Sequence, residues 1–143
     1  MQARPTWRGE FETSEVDVPV KLLLVEDLPQ MQGVVLDLLS TVGQFELAHA
    51  VATEAEANLW LDENPGNWDL AVIDLVLEQG TGLGVVARAR HRPASSKVVV
   101  FSDYVSEGIR KHCLKLGADA ALRKGEDLHA FLAFCSAVAH RGS

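Results

Sequence analysis

Asp74 closes an apolar run, Leu70-Ala71-Val72-Ile73, and opens onto a turn that holds Gly80 and Gly82. The run has strand length, and Leu83, Val86 and Ala87 beyond the turn fall at helical steps. A carboxylate at the end of so apolar a strand is costly when buried and unpaired. It is tolerable where the strand emerges into a crevice holding a cation, and in open α/β sheets such crevices lie at the carboxyl ends of the strands. Three further apolar runs end in groups of comparable use. Residues 20–25 lead into Glu26-Asp27, residues 97–101 into Ser102-Asp103, and residues 119–122 into Arg123-Lys124.

Brought together, Glu26, Asp27, Asp74, Ser102 and Lys124 would place three carboxylates, a hydroxyl and an amine in one crevice. Two like charges about 4 Å apart repel by roughly 4 kcal/mol at an effective dielectric near 20. The cluster therefore calls for a hard divalent cation, and Mg2+ is held by carboxylates while keeping several waters. With that ion in place, Asp74 is a carboxylate nucleophile toward a phosphoryl group. Lys124 and the metal would offset charge on the transferred oxygens, and Ser102 would hydrogen-bond one of them.

The rest of the chain supplies the elements that such a meeting needs. VKLLLV at residues 20–25 is apolar on both faces, as suits the middle of a parallel sheet. Pro29 opens a helix whose face carries Met31, Val34, Val35, Leu38, Leu39 and Val42, and Gly43 stops it. Phe45, Leu47, His49 and Val51 alternate as a strand; Thr53 with Glu56 forms a capping box for the next helix. Ser106 caps a helix closed by Gly117, residues 119–122 make a short fifth strand, and Leu128, Phe131, Leu132, Cys135 and Val138 mark a last helix. Five strand–helix alternations predict a doubly wound five-stranded parallel sheet with helices on both faces.

At 143 residues the chain fits one domain, read as a polar, acidic leader over residues 1–18 and a domain over 19–141. Trp7 and Phe11 are the leader's candidates for docking on the body. The net charge of −7 argues against nucleic acid or an anionic membrane surface as the main partner. No run has the length of a membrane span, the start lacks a signal-peptide core, and Cys113 and Cys135 show neither metal nor disulfide spacing. A cytoplasmic protein with two reduced thiols is expected.

Over residues 20–140 the chain resembles the receiver domain of bacterial two-component response regulators. The resemblance rests on LLLVEDLP, VIDLVLEQGTGLG, VVVFSD and GADAALRK taken as a set. It implies a flavodoxin-like sheet of order 2-1-3-4-5 and phosphotransfer to Asp74 from a sensor histidine kinase or phosphotransfer protein. It also implies Mg2+ held by Glu26, Asp27, Asp74 and the backbone carbonyl of Val76, with Ser102 and Lys124 completing the site. A downstream protein would be met by a switch face, so that the chain acts as a signalling switch rather than as an enzyme on a separate substrate. Ala121 occupies the position of the usual switch aromatic, with Tyr104 as the substitute; Gly125 replaces a proline, Glu78 another, and Asp103 adds an acid.

Two other readings compete. Gly82-x-Gly84-x-x-Ala87, with Asp103 about twenty residues on, fits a dinucleotide fingerprint, although Leu75 to Gln79 separate the glycines from their strand. A receiver-like module that binds partners without being phosphorylated is the second.

Overall fold

The computed structural model describes residues 18–141. Trp7, Phe11 and the leader up to residue 17 lie outside the described residues. The elements run β1 (Val20–Val25), α1 (Pro29–Ser40), β2 (Phe45–Val51), α2 (Glu54–Glu63), β3 (Leu70–Ile73), α3 (Gly82–Ala89), β4 (Lys97–Ser102), α4 (Glu107–Leu116), β5 (Ala120–Arg123) and α5 (Leu128–Ala139). All strand pairs are parallel and the sheet order is β2-β1-β3-β4-β5, as the alternation and the resemblance led one to expect.

Because side chains alternate across a strand, the apolar runs feed two separate cores. Leu23, Val25, Ala71, Ile73, Val98 and Val100 face one way, against Ala57 and Leu61 of α2, Val85 and Val86 of α3 and Cys113 of α4. Val20, Leu22, Leu24, Leu70, Val72, Val99 and Phe101 face the other, against Val35 and Leu39 of α1 and Phe131, Cys135 and Val138 of α5. The two thiols are thus packing groups, both free and buried. Burial pushes the Cys135 thiol up to about 12, which keeps it protonated and unreactive.

Register brings the working ends together. Val25 pairs with Ile73, Ile73 with Val100, and Ser102 with Arg123, so the residues following β1, β3, β4 and β5 leave the sheet along one edge. The ladder continues past the strands: Glu26 N–H donates to Val51 O at 3.0 Å, Asp74 N–H to Val25 O at 2.9 Å and Lys124 N–H to Ser102 O at 3.2 Å.

Local signals mostly act as read. Ser106 Oγ accepts the Ile109 N–H, and Gly117 ends α4 at φ 116°. Thr53 Oγ1 accepts the Glu56 N–H, but Glu56 Oε1 reaches back to the Ala52 N–H instead of that of the cap residue. Helix α1 departs more. Its buried stripe is only Val35 and Leu39, while Val34 is 47% exposed, since one residue turns the helix by about 100° and only a narrow strip meets the sheet. Strand β5 starts at Ala120, one residue later than expected.

Phe131 is fully buried and stacks on Phe101 at a centroid distance of 3.8 Å. Its replacement by alanine is expected to cost about 3–5 kcal/mol, read as a lower midpoint in urea unfolding.

Candidate functional site

Of the side chains named at the strand ends, those of Glu26, Asp27, Asp74 and Lys124 converge. Lys124 Nζ donates to Glu26 Oε1 at 2.7 Å and to Asp74 Oδ2 at 3.2 Å, a bridge between residues 98 and 50 positions apart. Glu26, Asp27 and Asp74 each offer a carboxylate oxygen within 4.8 Å of the others. Glu26 and Asp74 are buried and Asp27 is partly exposed, so the cluster is open on one side. Ser102 is fully buried at the end of β4, and its Oγ accepts the Tyr104 N–H at 3.4 Å.

Each group is held by more than its strand. Both oxygens of Glu26 are engaged, Oε1 by Lys124 and Oε2 by the Leu28 N–H at 3.1 Å just ahead of Pro29. One carboxylate thus holds both the residue that leads into α1 and the amine of the pocket, while α1 itself has no side-chain cap. Asp74 Oδ1 lies 3.4 Å from the Val76 N–H. Gly82 is required by contact, because a Cβ there would come within 2.1 Å of the Asp74 carbonyl oxygen. Asp127, whose Oδ2 accepts the Arg123 N–H at 2.9 Å, pins the turn after β5 that carries Lys124.

Burial pushes the Glu26 carboxyl above its ordinary value; the Lys124 and Leu28 hydrogen bonds oppose this and the Asp74 charge adds to it. For Lys124 burial pulls downward, but the Glu26 hydrogen bond and the charges of Asp74 and Glu26 outweigh it and leave the ammonium raised. One cation thus faces three carboxylates, all hard oxygen donors, and that donor set fits a second, divalent cation of the Mg2+ class.

A family model for the response regulator receiver domain matches residues 22–135. The chain belongs to that family. The receiver is similar in fold to solved structures of low sequence identity. One is the CheX–CheY complex with BeF3 and Mg2+ from Borrelia burgdorferi, at TM-score 0.73 and 20% identity, covering 84% of this chain and 89% of that one. Another is the response regulator domain of CheB from Thermotoga maritima, at TM-score 0.72 and 17% identity, covering 88% and 100%. A third is the phosphorylated cyanobacterial phytochrome response regulator RcpA, at TM-score 0.66 and 24% identity, covering 85% and 91%. No curated protein matches the chain.

The receiver's departures fall into two groups. Ala121 is buried in the core under α4, so its methyl is not part of a surface, whereas Tyr104 is 66% exposed beside the pocket. Asp103 and Glu78 are exposed, Gly125 has open space where a side chain would go, and every described peptide is trans. The dinucleotide fingerprint is filled from within: Thr81 Oγ1 caps α3 through the Leu83 N–H, and a Cβ on Gly84 would strike the Glu54 carboxylate. An acid therefore stands where a pyrophosphate would have to approach. Sequence reasoning missed Thr81 and Glu54, whose roles depend on a contact between segments 27 residues apart.

The raised Glu26 carboxyl sets a pH dependence in metal-free protein. The folded state favours its protonated form, so the charged form costs stability at neutral pH and the cost vanishes as pH falls below 4.5. Glu26→Gln is accordingly expected to unfold at higher urea than wild type at pH 7 in the presence of a chelator, with the gap closing below the carboxylate range.

Proposed function

We propose that the chain is a phosphorylation-controlled switch of a two-component or phosphorelay system, acting in the cytoplasm and taking a phosphoryl group on Asp74. The observation that carries this reading is the Lys124 ammonium bonded to both Glu26 and Asp74 beside a third acid. Glu26, Asp27, Asp74 and the Val76 carbonyl would hold Mg2+. When bound, the ion supplies positive charge against the oxygens of the transferred group.

In transfer, a carboxylate oxygen of Asp74 forms the new P–O bond as the P–N bond of a donor phosphohistidine breaks, and the electron pair leaves with the imidazole. Lys124 exchanges part of its carboxylate bonding for a phosphoryl oxygen, which it can do because it already sits 3.2 Å from Asp74 Oδ2. Ser102, buried one strand away, supplies a hydroxyl hydrogen bond to another oxygen. Losing that bonding partner to the phosphoryl group changes the balance of charge on Lys124 and Glu26, and the change is read by a downstream protein at the surface. The donor is a sensor histidine kinase or phosphotransfer protein, and the chain is a phosphoacceptor rather than an enzyme acting on a separate substrate.

Incubation with Mg2+ and acetyl phosphate is expected to add one phosphoryl group, seen in the intact mass and absent from Asp74→Asn. An unchanged mass with both acetyl phosphate and a histidine kinase would point instead to a receiver that only binds partners. Lys124→Ala is expected to label slowly and to lose the phosphorylation-dependent change in partner binding; normal switching by that variant would remove Lys124 from its role.

A further inference from the structure

Glu54, the first residue of α2, touches none of the groups assigned above, yet it grips the loop that follows Asp74. Its Oε1 accepts the Thr81 N–H at 2.8 Å, and its own N–H donates to Gln79 O at 3.1 Å. Next to it, Thr53 forms an isolated parallel bridge with Gln79. The loop is shaped to receive this carboxylate. A Cβ on Gly84 would lie 2.0 Å from Glu54 Oε2, and one on Gly80, whose φ is +83°, would lie 2.5 Å from Glu54 Cβ.

From Thr81 the hold passes directly to the pocket. Thr81 Oγ1 donates to Leu75 O at 3.3 Å, Gly82 N–H donates to the same oxygen at 2.9 Å, and Thr81 forms an antiparallel bridge with Val76. Leu75 and Leu77 anchor this stretch in the core, but Val76 between them and Glu78, Gln79 and Gly80 beyond are all exposed and gain little from apolar packing. A glycine-containing loop of that kind loses much backbone freedom on ordering, and past Leu77 the restraint comes from polar contacts, those of Glu54 among them.

We propose that Glu54 is a positioning residue for the metal loop: by holding Thr81 it fixes the Val76 peptide, whose carbonyl would be the one main-chain ligand to Mg2+. The inference rests on the magnesium reading of the site given above. A carboxylate here also adds negative charge near the pocket, and an amide in its place separates the two contributions, because the amide oxygen still accepts the Thr81 N–H while carrying no charge.

The test is calorimetric titration of the full chain with MgCl2 alone, with thermal melting of each metal-free variant alongside. Glu54→Ala is expected to weaken Mg2+ binding about tenfold, the scale of one lost charge-assisted hydrogen bond. Glu54→Gln is expected to stay within about threefold of wild type. Gly84→Ala should evict the carboxylate and match Glu54→Ala, yet cost nothing further when added to it, as coupled sites do. Wild-type affinity in Glu54→Ala or in Gly84→Ala would overturn the clamp while leaving the site intact. So would a Gln variant as weak as the Ala variant, since charge alone would then account for the effect. A wild-type chain that takes up no Mg2+ would overturn the magnesium reading itself, and this role with it.

Discussion

The structure depends on one ammonium group shared by two acids. Lys124 Nζ sits between Glu26 and Asp74, and without it the two carboxylates, with Asp27 beside them, would be a cluster of like charge half withdrawn from water. Such a cluster is stable only if opposite charge is supplied at short range and the remaining lone pairs are satisfied. The chain meets that condition from the ends of separate strands rather than from one segment. The parallel register and the hydrogen bonds continued beyond each strand end are what make the condition geometrically attainable.

The fold around the pocket is correspondingly two-sided. Period-two alternation in β1, β3 and β4 fills a core under α1 and α5 and another under α2, α3 and α4, so these three central strands are apolar on both faces. A strand that is buried on both sides has no polar face on which to carry a functional group, so function is confined to where the strand stops. That is why Glu26, Asp74 and Ser102, each at or just beyond a strand's last residue, are the buried polar groups of the sheet's working edge.

Much of this was legible in the sequence for the same reason. Runs such as LLLV and VVVF read as double-faced strands, and a charged or hydroxyl residue directly after each run stands out because nothing polar precedes it. Boundaries and partial burial were less legible. Val34 obeys the helical period as well as Val35 does, and only the width of the contact between α1 and the sheet separates them. Glu54 was invisible because it looks like an ordinary first-turn acid of α2, and its partner Thr81 lies in another segment. In sequence the glycines at 80, 82 and 84 fit a turn or a nucleotide fingerprint; in the folded chain they are sites of close approach, two of them to Glu54 and one to the Asp74 carbonyl.

The last of these contacts gives two glycines flanking the pocket opposite tolerances. Gly82 lies against the Asp74 backbone so closely that even a methyl group would shift the Asp74 peptide itself, whereas at Gly125 an added methyl meets nothing within 4 Å. A saturation library would accordingly be purged to a single amino acid at the first position and stay diverse at the second. A side chain added to the turn after Lys124 therefore starts out in open space rather than against a neighbour.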